Sequence, residues 1–261
     1  MVENIQLLFA TVLFRPYVFI FLFIYLVAAS YKVGAKKAAL FTISAWAIAY
    51  VSEFSSIRNG IPFGLYHYIP STVDCELWIC GVPFMDSLSF TFLAYSSWAT
   101  ARIFLCPADG SGLSFSFREG YKNRFSFGTI FLGALLFMLI DVVIDPLSLR
   151  GDRWFLGKIY YYPDGGAYFG VTISNFIGWF IVGFVTLTIW GLIDKRLPDT
   201  GRPFAGVDLL GPALYMIVLL FNLTMTFYIG ELTIGWVGVF IFLPVVFLML
   251  QKIRGNALTQ M

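Results

Sequence analysis

The chain has 261 residues, 59% of them hydrophobic and only 12% charged, with a mean hydropathy of +0.82. Soluble domains carry about 25% charged residues, so this composition excludes an ordinary soluble fold. Seventeen basic and fifteen acidic residues leave a net charge of +2, which offers no field for a polyanion, and no nucleic-acid partner is expected. Three cysteines, Cys75, Cys80 and Cys106, cannot all pair and make no metal-ligand array, which excludes a disulfide-stapled secreted domain.

A spanning helix needs about 20 mostly apolar residues. Seven stretches meet that need, at about 12–31, 37–55, 82–104, 127–145, 171–193, 208–229 and 232–250. The expectation is an all-α, polytopic membrane protein: a seven-transmembrane-helix bundle with structured non-cytoplasmic loops, forming one integral membrane domain over 1–261. The first stretch contains Arg15 and Pro16 and is read as a retained helix, because its basic n-region is too weak for a signal peptide.

Lysine and arginine counts set the orientation. One side receives Lys32, Lys36, Lys37, Arg102, Arg118, Lys122, Arg124, Lys195, Arg196, Arg202, Lys252 and Arg254. The other receives Arg15, Arg58, Arg150, Arg153 and Lys158. The excess puts the first set, with the C-terminus, in the cytoplasm and the N-terminus outside, in a cell inner (plasma) membrane.

Two loops on the outer side carry signals beyond mere connection. Residues 56–81 include the run Gly60 to Tyr68 with His67 between two tyrosines, then Trp78 and Cys80. Residues 146–170 hold Trp154, Tyr160, Tyr161, Tyr162, the turn Pro163-Asp164-Gly165-Gly166, and Tyr168. Such rings form either an aromatic belt at headgroup level or a lid over an opening in the bundle. Asp74 and Glu76 in the first loop are expected to face water.

Ionisable groups within a span are expensive and tend to face the bundle interior. Glu53 lies near the outer end of the second stretch, Asp86 at the outer start of the third, and Asp141 and Asp145 at the outer end of the fourth. Alternating helix direction brings all four to one depth, whichever side is outside. Asn175 joins them from the fifth stretch, and Asn222 and Thr226, four apart on one helix face, from the sixth. Asp141 and Asp145 also share a face, where like charges repel, so either one holds a proton or an arginine such as Arg58 or Arg150 neutralises them. Asp208 is expected to cap the sixth helix. Trp46, Tyr50, Tyr66, Tyr68, Phe90, Trp179 and Tyr215 are placed to line an apolar tunnel ending at the acids, with His67 in its loop wall. One histidine cannot build the clusters of di-iron or zinc membrane enzymes, and no metal site is expected.

A buried acid, cation-tolerant aromatic faces and a held water together suit acid-catalysed addition to an alkene. Glu53, the run Gly60-Ile61-Pro62-Phe63-Gly64-Leu65-Tyr66-His67-Tyr68, and Gly81-Val82-Pro83 resemble the first half of the CruF-like carotenoid biosynthesis proteins. Asp141 to Pro146, Trp154, Gly170-Val171 and Asn175-Phe176-Ile177-Gly178-Trp179 resemble the second half. Thr172 stands where that family would carry proline. The resemblance implies a cofactor-independent hydratase adding water across the terminal 1,2 double bond of an acyclic carotenoid end group. For that reaction the placement of the residues assigns Glu53 or Asp141 as the acid, with Asp86, Asp145 and Asn175 placing or deprotonating water. Partners would be membrane lipids, a long carotenoid or isoprenoid substrate and neighbouring carotenoid enzymes. Three alternatives remain. One is a prenyl-transferring enzyme using Asp141 and Asp145 for magnesium diphosphate. The others are an isoprenoid cyclase or isomerase, and a non-catalytic carotenoid-binding protein.

Overall fold

The structure is a computed structural model in which residues 2–118 and 121–255 are described. Its helices are α1 (Val2–Phe14), α2 (Pro16–Val33), α3 (Ala35–Asn59), α4 (Phe84–Leu105), α5 (Tyr121–Arg124), α6 (Phe127–Ser148), α7 (Ile173–Arg196), α8 (Val207–Tyr228) and α9 (Leu232–Gly255). Six of them, α2, α3, α6, α7, α8 and α9, are long and apolar enough to cross a membrane. The chain is therefore an all-α polytopic membrane protein.

The first stretch differs from expectation. Pro16 has no amide hydrogen to donate and starts a new helix at its first position. Thus α1 ends at Phe14, Arg15 sits in the break, and the apolar α2 runs from Pro16 to Val33. The third stretch forms α4, which is 22 residues long but too polar to join the six. Its place in the bundle explains why: α4 packs against α2, α3, α6, α7, α8 and α9, and 17 of its residues are buried. Several of its hydroxyls turn back on its own carbonyls, Thr91 Oγ1 to Leu88 O (2.7 Å) and Thr100 Oγ1 to Ser96 O (2.8 Å) among them, and these are satisfied without water. The outer helices reverse the pattern, exposing Ile20, Phe23, Ile177, Ile181, Phe240 and Phe247. Apolar groups outside and polar groups inside is the arrangement a hydrocarbon solvent selects.

Among the described residues, three short antiparallel ribbons lie in the connections: β1 (His67–Tyr68) with β6 (Tyr160–Tyr161), β2 (Trp78–Ile79) with β3 (Val82–Pro83), and β4 (Ala108–Asp109) with β5 (Ser116–Phe117). The β1–β6 pair joins the two tyrosine-rich loops in the register His67↔Tyr161, Tyr68↔Tyr160. Period-two alternation then sorts the side chains. Tyr66, Tyr160 and Tyr162 are buried beneath the ribbon, while Tyr161 is 43% exposed above it.

Buried ion pairs pin both ends of the bundle. At the ribbon end the Arg15 guanidinium donates to both carboxylate oxygens of Glu76 (3.0 and 2.9 Å) and to Leu156 O (2.6 Å). Glu76, expected in water, is fully buried by this fork. At the opposite end Lys37 of α3 donates to Asp194 (2.8 Å) of α7 and to Asp199 (2.5 Å), and Arg124 of α5 reaches the same two carboxylates at 2.7 and 2.8 Å. Asp208 is not the cap of α8. Gly206 holds that position, while Asp208 accepts from Phe117 N (3.1 Å) and pairs with Lys32 (2.7 Å).

Candidate active site

Glycine at two points seats the first loop. Gly60 ends α3 in the left-handed conformation, φ 79°, and its N–H bonds to Ser56 O. At Gly178 in α7, an added Cβ would lie 2.7 Å from Pro62 O and 2.6 Å from Phe63 Cδ1. The loop backbone therefore rests directly on the α7 backbone, which turns Phe63 and Tyr66 into the bundle.

Beneath the ribbon, Glu53 from α3, Asp86 from α4, Asp141 and Asp145 from α6 and Asn175 from α7 line one chamber of about 70 Å³. That is room for a few ordered waters. Phe63, Phe90 and Trp179 wall it on the bundle side, and Tyr66, Tyr68, Tyr160 and Tyr162 on the ribbon side. The Trp179 ring stacks on Phe90 at 4.4 Å and packs on Phe137 at 4.7 Å. Four carboxyls from three helices thus meet at one depth.

Asn175 is shared by Asp141 and Asp145, while Glu53 and Asp86 have donors of their own. Ser87 Oγ donates to Glu53 Oε2. Tyr68 Oη donates to Asp86 Oδ2 (2.5 Å). Asp145 accepts from Tyr160 Oη on one oxygen, and from Tyr162 Oη (3.0 Å) and Asn175 Nδ2 (2.9 Å) on the other. Asn175 Nδ2 also donates to Asp141 Oδ2 (2.7 Å). Asp141 Oδ1 is buried with no hydrogen-bond partner. Burial and the adjacent carboxyls push the Tyr68 and Tyr160 hydroxyls well above the ordinary tyrosine value, so both remain neutral donors.

The arginines expected near Asp141 and Asp145 are elsewhere. Arg58 stacks on Phe54 and bonds Phe54 O (3.0 Å). Arg150 pairs with Glu231 (3.1 Å) and bonds Pro146 O (2.8 Å). Tyr160, Tyr162 and Asn175 provide the donors instead. Among the described residues, no lysine or arginine lines the chamber, and no group of three or more His, Cys, Asp or Glu is arranged to hold a metal.

Of the aromatic residues read from the sequence, Tyr66, Tyr68, Phe90 and Trp179 line this chamber. Trp46 and Tyr50 stack on each other at 5.5 Å, outside it. His67 is turned to the other face of the ribbon, against Tyr161 at 5.7 Å. Tyr215 is buried deeper, donating to Leu136 O (2.9 Å). Thr226 bonds Asn222 O (2.7 Å) and lines no described cavity, whereas Asn222 lines a second, neighbouring one. Sequence reasoning missed Ser87 and the donor roles of Tyr160 and Tyr162. Only the alternation Tyr160-Tyr161-Tyr162, matching Tyr66-His67-Tyr68, signals that two of three tyrosines share a face.

These features define a membrane protein whose helices enclose an acidic, aromatic-walled chamber at one end of the bundle. The carotenoid biosynthesis protein family matches residues 11–248, and the chain belongs to that family. No curated protein and no solved structure matches it significantly.

Proposed function

We propose that this protein is a carotenoid hydratase, a cofactor-independent hydro-lyase acting on an acyclic end group. The reading rests on one observation: four carboxyls from three helices converge on a chamber otherwise walled by aromatic rings. Asp141 has an oxygen free of hydrogen bonds, and Glu53 has one bond from Ser87, so either is free to deliver a proton to the terminal alkene. Protonation at C2 leaves a tertiary cation at C1, which the faces of Trp179 and Phe90 stabilise without bonding to it. Water held by Asp86 or by the Asp145–Asn175 pair attacks C1 and gives its second proton to a carboxylate. The sum is one water added and no electron exchanged. A prenyl-transferring reading is less well supported, because among the described residues no lysine or arginine lines the chamber to hold a released diphosphate.

In this reading α4 is the seventh, central span, so α1 and the C-terminal end of α9 lie on opposite faces. The excess of basic residues on the opposite face favours a chamber beneath the non-cytoplasmic face of the plasma membrane. A substrate this insoluble passes through the lipid phase, which favours neighbouring enzymes of the same pathway as partners.

The test is expression in cells making a defined acyclic carotene, with products resolved by mass. The expected product is heavier by one water and forms equally in EDTA. Glu53→Gln and Asp141→Asn are each tested, and the one that removes the acid costs about 100-fold or more in turnover. A cyclised product of unchanged mass, dependence on magnesium, or ordinary turnover in both variants would overturn the reading.

A further inference from the structure

A second cavity, of about 80 Å³, adjoins the acidic chamber. The two share Asp86, Ser89, Leu93, Ile144, Ser148 and Ile159 as a common wall. Beyond that wall the second cavity turns apolar and runs between α2 and α8, past Phe21, Met85 and Phe92 to Val218 and Phe221. Aromatic rings line its far end. Tyr17 lies nearly parallel to Phe221 at 5.6 Å, Phe155 meets Tyr17 edge-on at 5.5 Å, and Phe155 is 56% exposed on the outer surface. These side chains, from two helices and a loop, can move aside by rotamer change, without breaking a backbone hydrogen bond.

We propose that this second cavity is the subsite for the conjugated chain next to the reacting end group, entered from lipid between α2 and α8, with Tyr17 and Phe221 as its portal. The occupant follows from continuity with the acidic chamber and from the lining. For a rod of CH and CH₃ groups coming from lipid, the gain is close packing against the walls rather than escape from water, and flat rings suit the face of a polyene. The inference rests on the hydratase reading for what happens at Asp86, but chain binding is separable from that chemistry.

The test compares wild type with Val218→Phe, which fills the cavity, and Phe221→Ala, which removes half of the portal stack. Each is given a long acyclic carotene and a short acyclic isoprenoid alkene with the same end group. The ratio of kcat/KM for long over short substrate is expected to fall about tenfold in Val218→Phe, because the added ring takes the space and the packing contacts of part of the chain. In Phe221→Ala the KM for the long substrate is expected to rise. Carotene co-purifying with each protein is quantified from its visible absorption and is expected to fall in Val218→Phe. Wild-type protein that retains carotene but adds no water would sink the hydratase reading and leave the subsite standing. If wild type hydrates the long substrate, and both variants keep its selectivity and its bound carotene, the subsite is refuted. Should Val218→Phe fail to fold, the KM and bound carotene of Phe221→Ala decide alone.

Discussion

Alanine at Gly178 is expected to damage both stability and the chamber, against the usual sign for glycine in a helix. Replacing a mid-helix glycine by alanine ordinarily gains about 1 kcal/mol. Here the new Cβ would lie 2.7 Å from Pro62 O and 2.8 Å from Pro62 C, backbone atoms that no rotamer change can move aside. Overpacking of that kind costs about 1–3 kcal/mol, and the upper end applies because backbone must shift. The net is a loss of about 2 kcal/mol. At about 2–4 °C per kcal/mol, the melting temperature in detergent should drop by about 4–8 °C. The shift must lift the 60–66 loop, carrying Phe63 and Tyr66 away from the chamber, so turnover falls as well. Gly128→Ala is the internal control, since its Cβ would find nothing nearer than Leu105 Cδ1 at 3.7 Å, and it should be neutral or stabilising. Thermal unfolding of both variants, followed with product assay, makes the comparison. Equal shifts in the two, or an unchanged Gly178→Ala, would refute direct backbone packing of the loop on α7.

Glu76→Gln strands a buried guanidinium and should cost about 3–5 kcal/mol in detergent unfolding, while a double change of Arg15 and Glu76 to leucine should recover much of that loss. Tyr160→Phe deletes a donor to Asp145, worth about 1.5–3 kcal/mol, and should lower kcat by about 10–100-fold if the bond persists in the transition state. Tyr161→Phe, on the outer face of the ribbon, provides the contrast in the same assay. His67→Ala should leave kcat within about twofold and its pH profile unaltered, since an effect above tenfold would mean that the imidazole reaches the reaction.

The carboxyl cluster was legible because charge in an apolar run is conspicuous and helix direction alone fixes depth: Glu53, Asp86, Asp141 and Asp145 needed no contact information. The partners were not legible, because they come from loops whose pairing is a tertiary event. Arg15 finds Glu76 across 61 positions, and nothing near Glu76 distinguishes it from the solvated Asp74. The ribbon between residues 67–68 and 160–161 is only two residues per strand, too short to announce itself by periodicity, yet it decides that Tyr160 and Tyr162 point inward and His67 outward. Trp46, Tyr50 and Tyr215 illustrate the reverse: an aromatic ring at the right depth carries no information about which side of its helix meets the acids. The 82–104 stretch was legible as a long helix, while its polar side chains became intelligible only with the six helices packed around it.

The Lys37–Asp194–Arg124–Asp199 cluster has a mechanical consequence. It clamps α3, α7 and the α5 segment at the extremity remote from the acids, where separating charges out of water is costly. With the Arg15–Glu76 fork fixing the ribbon end as well, the bundle is held at both extremities, and parting either one means pulling apart a buried charge pair. The spacing of Glu53, Asp86, Asp141 and Asp145 is thus held from above and below, like a bridge deck carried on two piers.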